Sequence, residues 1–321
     1  MHKSFKKDLD NIKKEIKKVI VGQDKVVEGL LRALLANGHV LVEGVPGIAK
    51  TLLIRALGQV TGTTINRIQF TVDLLPTDII GMTTYEEKLK EYTIVKGPIF
   101  ANFIIADEIN RAPPKTQSAL LEAMQEKQVT ISGKTFPLPK PFFVMANKNP
   151  IESSGVYSLP EAQLDRFLFK INMGYPEKHE LQQIMETNTS IKSFEDYNLK
   201  PVITSGKIIE MQNEVQKIKY SALIKDYITD LVHATKVPKE FGISLGDYIE
   251  WAASPRAAIS LFISAKADAF LRGKDYITPN NIKNVAYDVL RHRILLNYKA
   301  DAEGIKTEDI IKEILHKVKI P

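Results

Sequence analysis

The chain contains no cysteine, which excludes disulfides, thiolate metal centres and a cysteine nucleophile and fits a reducing compartment. Long apolar runs are also missing. No stretch approaches the ~18 apolar residues that a membrane helix needs, and the apolar region around Leu30 is broken by Glu28 and Arg32. The opening residues MHKSFKKDLD lack the apolar centre of a secretory signal. These absences predict a soluble, cytoplasmic protein with no membrane insertion of its own. Focused charge is scarce as well: 44 basic and 38 acidic residues leave a net +6. The densest basic run is Lys3, Lys6, Lys7, Lys13, Lys14, Lys17 and Lys18. It alternates with Leu9, Ile12, Ile16 and Val19, which predicts an amphipathic first helix whose lysines face water. Phe5 is the only aromatic among them, so base stacking and a nucleic-acid partner have little support.

What is present divides at about Pro176. Before it, helical and strand signals alternate: helical patterns over 22–37 and 50–59, and short apolar or β-branched runs over 39–43, 64–70, 102–107 and 142–146. That alternation predicts a parallel sheet with helices on both faces. Two hairpins interrupt it, Met82 to Val95 and Val129 to Leu138, the second turning at Ser132-Gly133. After Pro176, the segments 177–187, 204–217, 222–235, 256–272, 279–292 and 307–318 carry helical periodicity, and no strand is expected among them. Residues 188–200 read as a polar linking loop. Thr278-Pro279 marks a helix start, with threonine as N-cap and proline at the first helical position. The expected organisation is an α/β domain over 1–176 and a smaller all-helical domain over 177–321.

The chemistry lies where the first strand ends. Gly44-Val45-Pro46-Gly47-Ile48-Ala49-Lys50-Thr51 follows that strand and leads into a helix. Backbone N–H groups at such a helix start attract phosphate oxygens, a lysine neutralises their charge, and a hydroxyl can ligate Mg²⁺. Ala49 stands where the P-loop pattern has glycine; alanine is small enough for this place provided its φ is negative. Phe103-Ile104-Ile105-Ala106 forms a buried strand ending in Asp107-Glu108. Ligands in parallel sheets bind beyond the carboxyl ends of the strands, so Asp107 can support Mg²⁺ and Glu108 can activate the attacking water. Asn149 follows another strand and could position that water, with Asn147 as a competing candidate. Arg166, in Asp165-Arg166-Phe167, is either catalytic or a salt-bridge partner. Arg256 opens a helix after Ser254-Pro255, where a cation opposes the helix dipole; either a bound phosphate or a nearby carboxylate would compensate it.

Longer blocks make the match specific. RIQFTVDLLPTDIIG (67–81), ADEINRAPPKTQSALLEAMQEKQVT (106–130), NPIESSGVYSLPEAQLDRFLF (149–169), ASPRA (253–257) and VLRHRI (289–294) occur in the order seen in the MoxR family of AAA+ ATPases, which this chain resembles. The resemblance implies an ATPase using ATP and Mg²⁺. Gly22, Gln23 and the segment Gly44, Val45, Pro46, Gly47, Ile48, Ala49, Lys50, Thr51 and Leu52 would bind nucleotide. Thr51 and Asp107 would serve the metal. Lys50, Glu108, Asn149 as first sensor, Arg166 as a finger reaching a neighbour's site, and Arg256 as second sensor would act in catalysis. The nucleotide would lie between core and helical lid. The hairpins would be the helix-2 insert and the pre-sensor-1 hairpin. The resemblance further implies a homo-oligomeric ring, usually a hexamer, acting chaperone-like on client proteins. Partners with von Willebrand factor A domains, and metal-cofactor insertion, come with the same resemblance. A DNA-acting ring related to helicases or clamp loaders, and a magnesium-chelatase-like subunit, are the rival readings.

Overall fold

A computed structural model describes residues 2–88, 90–148, 156–187 and 193–321. Helix α1 (His2–Ile16) and helix α2 (Asp24–Leu35) precede strand β1 (Val40–Glu43), helix α3 (Lys50–Val60) and strand β2 (Ile65–Gln69). A short helix α4 (Pro76–Ile80) opens the hairpin β3 (Gly81–Glu86) and β4 (Glu91–Lys96). Strand β5 (Phe103–Asp107) and helix α5 (Pro114–Glu126) lead to the second hairpin, β6 (Gln128–Ile131) and β7 (Lys134–Pro137). Strand β8 (Phe143–Lys148), helix α6 (Glu161–Leu164) and strand β9 (Phe169–Asn172) complete the α/β part. Beyond it come α7 (Lys178–Thr187), α8 (Ser205–Gln216), α9 (Ala222–Lys236), β10 (Ile249–Trp251), α10 (Pro255–Leu271), α11 (Pro279–Leu290), β11 (Leu295–Leu296), α12 (Tyr298–Glu303) and α13 (Thr307–Lys317).

The central sheet runs β2-β5-β8-β1-β9, and every pairing within it is parallel. Its inner strands β5, β8 and β1 are apolar on both faces, as a sheet covered twice requires. Val40, Val42, Phe103, Ile105, Phe143 and Met145 pack into a core shared with α1, α2 and α3. Leu41, Ile104, Ala106, Val144 and Ala146 point the other way, onto α4 and α5. Along α1, Phe5, Leu9, Ile12 and Ile16 are buried at helical spacing, so the amphipathic reading of the lysine run holds. The second hairpin turns at Ser132 (φ +48°) and Gly133 (φ +79°), the two positive angles a tight two-residue hairpin turn demands.

The helical part carries one departure from expectation. Strands β10 and β11 pair antiparallel after Pro176, where only helices were anticipated. With three and two residues they are too short for alternation to show in sequence. Strand β9 was not anticipated either. Helix α11 does begin at Pro279; Asn281 Oδ1 accepts from both the backbone N–H (2.8 Å) and the hydroxyl (2.6 Å) of Thr278.

The two parts share one apolar core. Leu261, Ala265, Val285 and Ile311 belong to the same cluster as Leu9, Leu30 and Val42. Across that junction Arg32 of α2 donates to the fully buried Asp268 of α10 at 2.7 Å. Asp268 also accepts from Asn281 (2.8 Å), Asn284 (3.0 Å) and Arg272 (3.0 Å). Burial opposes ionisation of this carboxyl, but Arg32 and those donors outweigh it and hold its pKa below the usual value. The segment after α11 grips the start of β9: His292 reaches the Phe167 carbonyl at 3.1 Å, and Arg293 donates to the carbonyls of Phe167 (2.7 Å) and Leu168 (3.1 Å).

Candidate nucleotide site

Strands β1, β5, β8 and β2 lie side by side with their carboxyl ends together, so residues far apart in sequence meet there. A cavity of about 440 Å³ at this end is lined by Lys50, Thr51, Asp107, Glu108 and Asn147, together with Arg67 and Gln69. The turn between β1 and α3 bends back through Gly47 (φ +84°), a conformation open to glycine without strain. Lys50 Nζ donates to the Gly44 carbonyl at 2.5 Å, which folds its side chain over the loop.

Ala49 corrects the sequence reading. Its φ is +65°, the left-handed region, and not the negative angle on which its acceptability rested. An alanine there carries roughly 1–2 kcal/mol of strain that glycine would not. Glu108 is a second non-glycine residue in this region (φ +57°), held by the backbone N–H it donates to Asn147 Oδ1 at 2.7 Å. The Glu108 side chain lines the cavity at the sheet end.

The acidic pair is fully engaged. Asp107 accepts from Thr51 Oγ1 at 3.4 Å, from Arg67 Nε and from Asn147 Nδ2. Glu108 Oε2 accepts from Gln69 Nε2 at 2.8 Å and pairs with Arg111 at 3.1 Å. Arg67 NH2 donates to Gln69 Oε1 at 2.7 Å, so the side chains of β2 link the two acids. Sequence reading missed Arg67, Gln69 and Arg111. The signal for the first two is their i, i+2 spacing on a strand whose register sets Gln69 beside Asp107.

A hydroxyl and a carboxylate in contact are hard oxygen donors, and they fit Mg²⁺, which binds through one or two protein oxygens plus phosphates and water. The Arg67 guanidinium on Asp107 shows that this carboxylate already takes a cationic partner. Among the described residues no cluster of three or more His, Cys, Asp or Glu forms an all-protein metal cage.

A second cavity, about 340 Å³, adjoins the first through Pro46, Gly47, Ala49 and Leu52. Val19, Ile20, Ile48, Met173, Tyr175, Leu181 and Ile184 make it apolar, suited to a base. Gly22 (φ +68°) and Gln23 (φ +57°) form the turn beside it, and Gln23 Nε2 donates to the Gly174 carbonyl at 2.9 Å. Gly44 and Val45 connect β1 to this loop.

Arg166 and Arg256 lie elsewhere. Both line a separate cavity of about 340 Å³ with Lys127, Asp165 and Arg293, and it shares no lining residue with the Lys50 cavity. Arg256 pairs with Asp165 at 3.7 Å, so a carboxylate compensates the cation at the start of α10. The expectation that the lid sits over the nucleotide through Arg256 is therefore not met within one chain: nothing C-terminal to Tyr197 lines either cavity at the P-loop. Asn149 falls outside the described residues; Asn147, its rival, is buried at the acidic pair.

Comparison with known proteins follows the same lines. Residues 39–169 match the family described as "ATPase family associated with various cellular activities (AAA)", and residues 246–314 match the AAA lid domain. Chaperone MoxR1 of Mycobacterium tuberculosis is 47% identical over 309 residues, covering 96% of this chain and 81% of the relative. The chain belongs to the MoxR family of AAA+ ATPases. Another relative, the uncharacterised protein YeaC of Bacillus subtilis, is 46% identical, with 95% of this chain and 92% of YeaC covered. Among solved structures, a candidate ATPase from Cytophaga hutchinsonii superposes with a TM-score of 0.92 at 45% identity, covering 100% of this chain and 97% of that one. This MoxR-family chain thus combines the AAA parallel sheet with the helical lid. No helix among its described residues is long and apolar enough to cross a membrane.

Proposed function

We propose that this chain hydrolyses ATP with Mg²⁺ at sites shared between neighbouring copies in a ring, and uses the cycle to remodel client protein complexes. The observation that carries this reading is the meeting of Lys50, Thr51, Asp107 and Glu108 around one cavity that continues into an apolar one. The triphosphate lies on the loop Gly44 to Thr51, neutralised by Lys50, with the base in the apolar cavity beside Gly22 and Gln23. Thr51 and Asp107 would hold Mg²⁺, which would supply charge neutralisation at the phosphate oxygens.

Glu108 takes a proton from the attacking water; the new bond forms at the γ-phosphorus and the bond to the β-phosphate oxygen breaks, releasing ADP. For this the carboxylate must leave Gln69 and Arg111, which occupy it in the structure. Asn147 fixes the backbone of Glu108, and Asn149 orients the water. Arg166 serves the site of the next copy, because its cavity is separate from that of Lys50. Arg256, on the same cavity, then acts across the same boundary.

The ring's moving parts are whole protomers, since the shared core and the Arg32–Asp268 pair fix the helical part to the sheet. Client contact falls to the hairpins, the first of which exposes Met82, Tyr85, Tyr92 and Val95. Thr83 and Ser132 hydroxyls meet at 2.6 Å, so the two hairpins shift together. Partners with von Willebrand factor A domains and metal-cofactor maturation are the client class favoured by family.

Steady-state ATP turnover and equilibrium binding of a fluorescent ATP analogue test the assignment. Glu108→Gln should bind the analogue as wild type does yet lose at least about 100-fold in turnover, while Lys50→Ala should lose binding. Undiminished turnover in Glu108→Gln would remove the assigned base.

A further inference from the structure

The cavity that holds Arg166 contains, beside Arg256 and Arg293, a further cation with no role so far. Lys127 is the residue that ends α5, in a left-handed conformation (φ +53°), with its N–H bonded to the Ala123 carbonyl at 3.0 Å. Its own carbonyl accepts the N–H of Leu138 at 3.0 Å and so closes the base of the β6–β7 hairpin. The side chain is half-buried and, among the described residues, touches no carboxylate. Among the described residues, Lys127, Arg166, Arg256 and Arg293 line the cavity against a single carboxylate, Asp165. That carboxylate is already committed to Arg293 (2.7 Å), Ser254 (2.9 Å) and Arg256 (3.7 Å).

Four cations against one anion in a recess is an electrostatically incomplete arrangement. The carbonyl end of α5 offsets only about half a charge. Burial, and then the neighbouring Lys140, push the ammonium of Lys127 toward its neutral form, so its present surroundings disfavour its charge. A polyanion seated against this face would complete it. The wall is shared by Arg166, so the anion is the γ-phosphate end of a nucleotide bound to the neighbouring copy.

We propose that Lys127 contacts the neighbour's terminal phosphate alongside Arg166 and Arg256 and, as the root of the β6–β7 hairpin, ties that hairpin's position to the phosphate's presence. This rests on the shared-site reading above and adds a residue and a transmission route to it. When the phosphate departs, the cation loses its counter-charge, and the strain falls on the α5–β6 junction that Lys127 forms.

Subunit mixing tests it. Lys127→Met alone should lower turnover at saturating ATP on the order of 10- to 100-fold, with KM for ATP within about twofold and the thermal midpoint unchanged. Lys127→Arg should retain most activity. In a 1:1 mixture of Lys127→Met with Glu108→Gln, about a quarter of the interfaces join an intact Glu108 site to an intact Lys127 face, so turnover should rise well above either variant. Arg166→Ala mixed with Glu108→Gln is the control. Recovery in the control but not in the Lys127 mixture would confine Lys127 to its own protomer and overturn the proposal. Recovery in neither would overturn the shared-site reading, and the role of Lys127 with it. Wild-type turnover in Lys127→Met would overturn the proposal by itself.

Discussion

Two residues show how much the local environment decides. Ala49 holds a glycine conformation at φ +65°, so Ala49→Gly should stabilise the fold by roughly 1 kcal/mol, read as a higher urea midpoint. His39 sits at the head of β1, wholly buried, accepting the Val144 N–H at Nδ1 (3.0 Å) and donating from Nε2 to the Met124 carbonyl (3.0 Å). Burial lowers its pKa from 6.5 to about 4. The unfolded chain therefore binds this proton first as pH falls. The stability tied to neutral His39 is complete above pH 6.5 and is lost on acidification toward pH 4, about 3 kcal/mol in all. Urea midpoints across that window should fall with acid, and less steeply in His39→Gln; a parallel slope in the variant would contradict the assignment. His292, also depressed by burial, contributes in the same direction and keeps the variant's slope above zero.

At the scale of elements, a buried ion pair fastens the helical part to the helices on the sheet. Asp268 of α10 is fully buried among Arg32, Arg272, Asn281 and Asn284. Replacing one partner of a buried pair leaves an uncompensated charge, so Asp268→Asn should cost about 3–5 kcal/mol. Glu28, which also pairs with Arg32 (2.8 Å), keeps the loss toward the lower end. Calorimetry should show wild type unfolding in one transition and the variant at a lower temperature; an unchanged midpoint would deny that this pair binds lid to core. Sequence could not have revealed it, because the two residues are separated by 236 positions and their pairing is a product of the tertiary fold. The P-loop was legible for the opposite reason: Lys50 and Thr51 are adjacent, and the strand, turn and helix that present them are consecutive. Asp107 and Glu108 were legible because a strictly apolar strand ends in them. Arg67 and Gln69 were not, since their bearing on those acids depends on β2 pairing with β5 in one particular register.

At the scale of the whole molecule, the candidate functional residues fall into two separate groups of cavities. One carries the Lys50 cavity with its apolar neighbour, and the other carries Arg166, Arg256 and Lys127. The sequence suggested Lys50, Arg166 and Arg256 but not Lys127, and not that Arg256 would stand beside Arg166, since that follows from where the shared core puts α10. On the shared-site reading proposed above, Lys50 and Arg166, which line separate cavities, complete one site only when another copy meets the chain head to tail. Turnover per subunit, measured across a hundredfold range of protein concentration with Arg166→Ala in parallel, tests this most directly. Specific activity should rise with concentration to a plateau, and Arg166→Ala should stay about 10³-fold lower throughout. Turnover independent of concentration, with Arg166→Ala matching wild type, would contradict it.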